Sequence, residues 1–313
     1  MEQPVLCAEH LTKRYGQRFA VQDVTFTLRA GELVGLLGPN GAGKTTTLSM
    51  LAGLVQPTSG EIRLFGQKLD TPAGQVALRR VGIMPEAAVF YPYLSGEDNL
   101  AVLARTYNVD PRVIPSLCER VGLSEHSRRP AKSYSQGMRQ MLSLASALLG
   151  DPDILLLDEP TNGLDPLGQQ RIHALLKELV ENGKTILLSS HLLPDVETLC
   201  DRVIIIARGR VVADGPLSAL LQHTSCIRLR TTDDHRARAL LTSPGRPAWI
   251  AGIEERENAF VIYADPAHAG ELSAMLAKQD IYPVELVPQR ESLRDIFAEL
   301  VGASSTQTEE HVA

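Results

Sequence analysis

The octapeptide Gly38-Pro39-Asn40-Gly41-Ala42-Gly43-Lys44-Thr45 constrains this chain more than any other feature. Its G-x-x-x-x-G-K-[ST] spacing puts glycines where backbone N–H groups can curl around phosphates. It also puts a lysine within reach of the β- and γ-phosphates and a hydroxyl where Mg²⁺ would sit. The flanks agree with that use: Glu32 to Leu37 is a short apolar run suited to a buried parallel strand, and Lys44 to Leu54 holds good helix formers. Strand, glycine loop and helix N-terminus in that order make an anion site for a nucleoside triphosphate. A glycine-rich turn with no ligand would need neither the lysine nor the hydroxyl.

Composition narrows what else the chain can be. At 313 residues and 44% hydrophobic content it can hold one large or two modest soluble domains. The net charge is −6 and no basic block tracks a polyanion backbone, so DNA and RNA are not expected partners. The longest apolar runs, such as Val203 to Ala207, are strand-sized and far below the roughly 20 residues that span a bilayer. Met1-Glu2-Gln3-Pro4 lacks the basic and apolar regions of a secretory signal, so a cytoplasmic location is expected. Cys7, Cys118, Cys200 and Cys226 are widely separated with no C-x-x-C pair, as packing thiols would be.

The order of elements suggests how the chain is divided. Residues 1 to about 30 alternate in the β manner around a turn at Tyr15-Gly16-Gln17, and Gly60 to Gly66 supplies another short strand for the same antiparallel sheet. From Ser95, whose Ser95-x-x-Asp98 spacing is a capping box, helical patterns take over. Apolar strands at Ile154 to Leu157, Thr185 to Leu188 and Val203 to Ala207 then alternate with helices at Leu167 to Glu181 and Pro194 to Cys200, as in a parallel, helix-covered sheet. We place a nucleotide-binding domain at 1–222, with a helical subdomain at about 87–150, and an accessory α/β domain at 223–302. That second domain should carry strands at Cys226 to Arg230, Ala259 to Ala264 and Ile281 to Val287. It should end in a helix capped by Ser292, with Leu293, Ile296, Phe297, Leu300 and Val301 on one face, for packing or for dimerisation. The small, polar, acidic stretch 303–313 is expected to be disordered.

Two further segments carry chemistry. The apolar strand Ile154 to Leu157 ends in Asp158-Glu159, and strand C-terminal ends are where α/β sheets bind ligands. Asp158 suits the shell of a hard cation such as Mg²⁺, and Glu159 suits a base acting on water. Ser133 to Gln140 opens an amphipathic helix that Ser135 can cap, with Met138, Met141, Leu142 and Ala145 on one face. On its own this could be an ordinary packing helix.

Taken together, the phosphate loop, the Ser135-Gln136-Gly137 segment, Asp158-Glu159, Asn162-Gly163-Leu164-Asp165 and His191 resemble the nucleotide-binding domain of an ATP-binding cassette (ABC) protein. The resemblance covers about residues 5 to 220. It implies a P-loop NTPase cassette: a parallel sheet core, an antiparallel β subdomain and an inserted helical subdomain. It also implies ATP and Mg²⁺ as cofactors. ATP would be held by Gly38 to Thr45 together with Thr46, with Tyr15 stacked on adenine. Lys44, Glu159 and His191 would act in catalysis, and Thr45, Glu86 and Asp158 would serve the metal. In that family two cassettes meet head to tail, so Ser135 and Gly137 would close on the ATP of a second copy while Asp165 links the two sites.

Two departures from the commonest family pattern point to one branch of it. The signature is Tyr134-Ser135-Gln136-Gly137-Met138 where L-S-G-G-Q is commonest, and Glu86 stands where glutamine is usual. Similar substitutions occur in bacterial cassettes that pair with separate ABC-2-type membrane subunits, including antibiotic self-resistance exporters. The implied reading is a peripheral ATPase on the cytoplasmic face of the inner membrane, powering a separately encoded permease. Phe90-Tyr91-Pro92-Tyr93, with three aromatics in four residues, is a candidate for docking that permease or for packing one subdomain on the other. The alternatives are a soluble ABC ATPase and a ligand-sensing regulatory ATPase. The first would be expected to carry tandem cassettes or basic surfaces, and Glu159 argues against a purely non-hydrolytic switch.

Overall fold

Alternation of apolar and polar residues in the first thirty positions resolves into a sheet in the computed structural model, which describes residues 3–222, 225–243, 245–256, 259–290, 293–294 and 296–297. Strands β1 (Leu6–Tyr15) and β2 (Arg18–Leu28) pair antiparallel around the Gly16 turn, where φ is +59°. Next come β3 (Leu33–Leu37), α1 (Lys44–Leu51), β4 (Ser59–Leu64), the two-residue β5 (Gln67–Lys68), α2 (Pro72–Leu78) and β6 (Val81–Met84). β4 pairs with β1 and β5 with β4, giving a four-stranded sheet in the order β2-β1-β4-β5. Its inner face, including Leu6, Leu11, Val21, Leu28 and Leu64, is fully buried in one cluster with α1.

Helices α3 (Gly96–Tyr107), α4 (Ile114–Val121) and α5 (Gln136–Leu148) follow and pack on one another. The Ser95 capping box forms: Ser95 Oγ accepts from Asp98 N at 3.0 Å while Asp98 Oδ2 accepts from Ser95 N at 3.3 Å. α4 ends at Gly122, whose φ of +80° lets the cap N–H reach the last-turn carbonyls. Then come β7 (Ile154–Asp158), α6 (Pro166–Glu181), β8 (Thr185–Ser190), α7 (Leu193–Leu199), β9 (Arg202–Ala207) and β10 (Arg210–Pro216). The central sheet runs β10-β9-β3-β8-β7-β6, parallel except for the antiparallel edge strand β10. β3, β7 and β8 are buried along their whole length, as strands covered on both faces must be. Because β3, β8, β7 and β6 run parallel, the residues that follow each of them emerge at one edge of the sheet.

The chain divides into two compact units, the second beginning at Leu217. This unit contains α8 (Leu217–Gln222), β11 (Ser225–Thr231), α9 (Asp234–Leu241), β12 (Gly252–Arg256), β13 (Ala259–Tyr263), α10 (Ala269–Ala277) and β14 (Pro283–Arg290). Its four strands are antiparallel in the order β12-β13-β11-β14, the arrangement of two interleaved β-α-β units. Ile227, Leu229, Phe260 and Ile262 face Ala237 and Leu241 of α9 and Leu272 and Leu276 of α10 in its own core. Of the expected last helix, Leu293, Arg294, Ile296 and Phe297 are helical, and Leu293 and Ile296 are buried. Its remaining residues, including Ser292, Leu300 and Val301, and the stretch 303–313 lie outside the described residues.

Candidate active site

β3 delivers the glycine loop to the carboxyl edge of the sheet, and the loop's backbone is shaped by close neighbours. Gly43 has φ +109°, and a Cβ there would lie 2.4 Å from the Ala20 carbonyl oxygen, so only glycine fits. α1 begins at the next residue, with its first N–H groups directed into the loop. Lys44 is buried, and its Nζ donates to the Gly38 carbonyl at 2.7 Å and lies 3.5 Å from that of Pro39. The ammonium is thus held across the mouth of the loop. A cleft of about 520 Å³ opens there, lined by the loop from Pro39 to Thr46 and by Tyr15, Glu86 and Glu159. Tyr15, half-exposed at the end of β1, stands at its rim. Arg18, which the sequence reading did not single out, lines the same cleft. Its nearness to Tyr15 across the hairpin turn is the one signal that could have marked it.

The acidic end of β7 arrives beside this loop. Asp158 is buried and accepts a hydrogen bond from the Ser189 hydroxyl of β8. Glu159 adopts a left-handed backbone with φ +53°. For a residue with a side chain that costs about 1–3 kcal/mol and persists only where neighbours impose it. The neighbours are identifiable. Glu159 N donates to the Ser189 carbonyl at 3.2 Å and to its hydroxyl at 3.1 Å, and the Glu159 carbonyl accepts from Gln140 Nε2 at 2.6 Å. The carboxylate Oε2 lies 2.7 Å from His191 Nδ1 and also accepts from the His191 backbone N–H at 3.3 Å. His191 follows β8 and is half-exposed, while the Glu159 side chain is 9% exposed. The His191 contacts aim this shielded carboxylate, which is of the residue type that a base acting on water requires. Ser189 and Gln140 were not legible as site residues, because both act through contacts made only on folding.

The other expected residues fall into two groups. Glu86 is exposed on the loop after β6 and lines both the main cleft and an adjoining cavity of about 300 Å³ that it shares with Glu159. Ser135 and Gly137 do not line the main cleft of their own chain. Ser135 is exposed and caps α5, its Oγ accepting from Met138 N at 3.2 Å, and Gly137 packs beside Leu164. Asp165 caps α6 by accepting from Gly168 N at 2.9 Å. Among the described residues no group of three or more His, Cys, Asp or Glu side chains forms a ready metal cage. The oxygen donors present are the Thr45 hydroxyl and the Asp158 and Glu86 carboxylates.

The family model described as ABC transporter matches residues 21–162. Along its full length the chain is 36% identical to YdbJ, an uncharacterised ABC transporter ATP-binding protein of Bacillus subtilis (strain 168), all of whose length is also matched. The chain belongs to the ATP-binding subunits of ABC transporters. It is also 33% identical to the bacitracin transport ATP-binding protein BcrA of Bacillus licheniformis, over 94% of this chain and 96% of that one. Among solved structures it resembles, at TM-score 0.63 and 26% identity, an ATP-binding cassette captured as a dimer in a post-hydrolysis state with ADP and Pi. That match covers 68% of this chain and 98% of the cassette. The chain is accordingly an ABC-type ATPase of a family whose cassettes work as dimers. The parallel core, the antiparallel sheet and the inserted helices α3 to α5 are the layers of that fold.

Proposed function

We propose that this chain hydrolyses ATP as the energy-coupling subunit of a bacterial exporter, seated on the cytoplasmic face of the inner membrane beneath a separately encoded ABC-2-type permease. The observation that carries the catalytic part is the convergence of Lys44, Thr45 and Glu159 on one cleft, with Glu159 held by His191. The loop amides and Lys44 bind the β- and γ-phosphates, Tyr15 offers its ring to the adenine, and Glu159 takes the proton of the attacking water. His191 orients Glu159 through Nδ1 and is exposed enough to meet the γ-phosphate. Catalysis is therefore largely positioning and charge stabilisation.

The donor set fits Mg²⁺, a hard ion that keeps several waters and takes few protein ligands: Thr45 and Asp158 would hold it, with Glu86 at its edge. When bound, it would neutralise charge on the β- and γ-phosphate oxygens. Ser135 and Gly137 lie off their own cleft at an exposed helix N-terminus, which suits a role on the nucleotide of a second, head-to-tail copy. Asp165 would then link the two composite sites.

One surface feature supports a membrane partner. Tyr91 and Tyr93 are 61% and 78% exposed, beside a half-buried Phe90, and Asn99 ties their loop to α3 by bonding Tyr91 at both its N–H and its carbonyl. Exposed rings on a loop anchored in this way suit a docking surface. A relative named as a Nod factor export ATP-binding protein, from Ralstonia nicotianae and 39% identical over 70% of each chain, supports export as the direction. Co-expression with a candidate permease tests the reading. The complex should co-purify, and the permease should raise ATP turnover. A chain that never associates with a membrane subunit, and whose turnover is indifferent to one, would overturn it.

A further inference from the structure

Glu159 is the strained residue of this site, and its two flanking peptide groups are fixed from opposite sides. β8 holds its N–H through Ser189, and α5 holds its carbonyl through Gln140 Nε2 at 2.6 Å. Pro160 follows and has no N–H, so the carbonyl is the anchor available on that side. Fixing both peptide planes around a Cα fixes the direction of its Cα–Cβ bond, and from that base the His191 contacts on Oε2 set where the carboxylate points. Release of the carbonyl would let the Glu159–Pro160 peptide rotate and the left-handed φ of +53° relax.

The helix that supplies this anchor has its other end elsewhere. Gln140 lies five residues beyond Ser135 on α5 and four beyond Gln136, on the same helix face as the latter. Gln136 packs against Gly163 so closely that a Cβ there would come within 2.5 Å of its amide, and Gly137 sits beside Leu164. α5 is thus seated on the segment 159–164 at two successive turns. Any tilt or shift of its N-terminus must reach Gln140, since one turn of hydrogen-bonded helix separates them.

We infer that Gln140 is a positioning residue for hydrolysis. Its hydrogen bond to the Glu159 carbonyl ties the α5 N-terminus, which serves the second copy's nucleotide, to the aim of the carboxylate that serves its own chain's nucleotide. The inference rests on the proposed roles of Glu159 and Ser135. It adds a direction: Gln140 acts within its own chain on that chain's Glu159, so closure on one nucleotide is felt at the other site.

Differently tagged full-length chains, co-expressed and isolated as heterodimers, test this. One chain carries Lys44→Ala, so a single live site remains on the other. Gln140→Ala on the live-site chain should lower ATP turnover at least tenfold, while its affinity for a fluorescent ATP analogue changes less than twofold. The same substitution on the Lys44→Ala chain should lower turnover less than threefold. Gln140→Glu on the live-site chain keeps the shape but points a carboxylate oxygen at the carbonyl, so it should lose as much as Gln140→Ala. Equal loss from both placements, or full turnover with Gln140→Glu on the live-site chain, would overturn the inference. Glu159→Gln on the live-site chain separates the two levels. Normal turnover there would overturn the base assignment and the Gln140 role with it. Turnover abolished by Glu159→Gln but indifferent to Gln140→Ala would overturn the Gln140 role alone.

Discussion

Gly38→Ala is the most direct probe of how the sheet shapes the phosphate loop. A Cβ at residue 38 would lie 2.4 Å from the carbonyl oxygen of Ile206 on β9 and 3.0 Å from the Ala42 Cβ. Close carbon–oxygen contacts in proteins begin near 3.3 Å, so the loop and β9 must separate by about 0.9 Å. Neither side yields cheaply, because the neighbour is backbone in a strand hydrogen-bonded on both edges. Overpacking of this kind costs about 1–3 kcal/mol. For a unit of this size that corresponds to a fall in Tm of roughly 2–12 °C. The functional effect should be larger in proportion, since a displacement near 1 Å costs a catalytic site about a hundredfold. Turnover should therefore fall about a hundredfold, with weakened binding of a fluorescent ATP analogue, in a protein that still folds. Gly183→Ala is the control: Gly183 has φ +83° with nothing within 4 Å and precedes β8 at the opposite end of the strands. It should lose about 1–2 kcal/mol of stability and keep its turnover. Wild-type affinity and turnover in Gly38→Ala would refute the reasoning.

Other expectations follow from the same geometry. Lys44→Ala should abolish productive ATP binding, read by nucleotide titration, because a buried charge and donor at the loop mouth are lost together. Glu159→Gln should keep ATP binding but lower hydrolysis at least a hundredfold, with ATP-dependent dimer accumulating on size-exclusion chromatography; a monomer with normal turnover would contradict it. Phe90→Ala with Tyr93→Ala should preserve Tm and basal turnover while permease binding is lost, and early unfolding with normal binding would assign the rings to packing instead. Burial pushes the Cys118 thiol up from an ordinary 9.0 to about 11, and the Cys200 thiol higher still. Neither should react with a thiol reagent at pH 8 until the chain is unfolded. A pKa raised in the folded state contributes stability that is whole below pH 9 and lost as pH climbs through 11. The urea midpoint should fall over that window, and Cys118→Ala should flatten the fall.

The legible parts of this protein are those in which physics acts between near neighbours in the chain. The glycine loop, its strand and its helix are contiguous, and each requirement for cradling phosphate is written within about twenty residues, so Gly38 to Thr45 could be placed before any fold was known. The Ser95 box, the Ser135 cap and the apolar run ending at Asp158 were readable for the same reason. Short or half-exposed strands were not. β6 has four residues and β12 alternates only weakly, too little pattern to show a period, and each is a strand because a neighbour supplies its ladder. The contacts that aim the chemistry were the least legible, because they join distant segments. His191 meets Glu159 because β8 pairs with β7, and the Ser189 hydroxyl reaches Asp158 across the same ladder. Gln140 meets the Glu159 carbonyl because α5 packs beside the residues that follow β7. Sequence alone determined which groups could do the chemistry, since that depends on residue type and local spacing. Strand order and helix packing decided which groups touch, because hydrogen bonds act over about 3 Å and only the tertiary fold brings residues 140, 159, 189 and 191 that close.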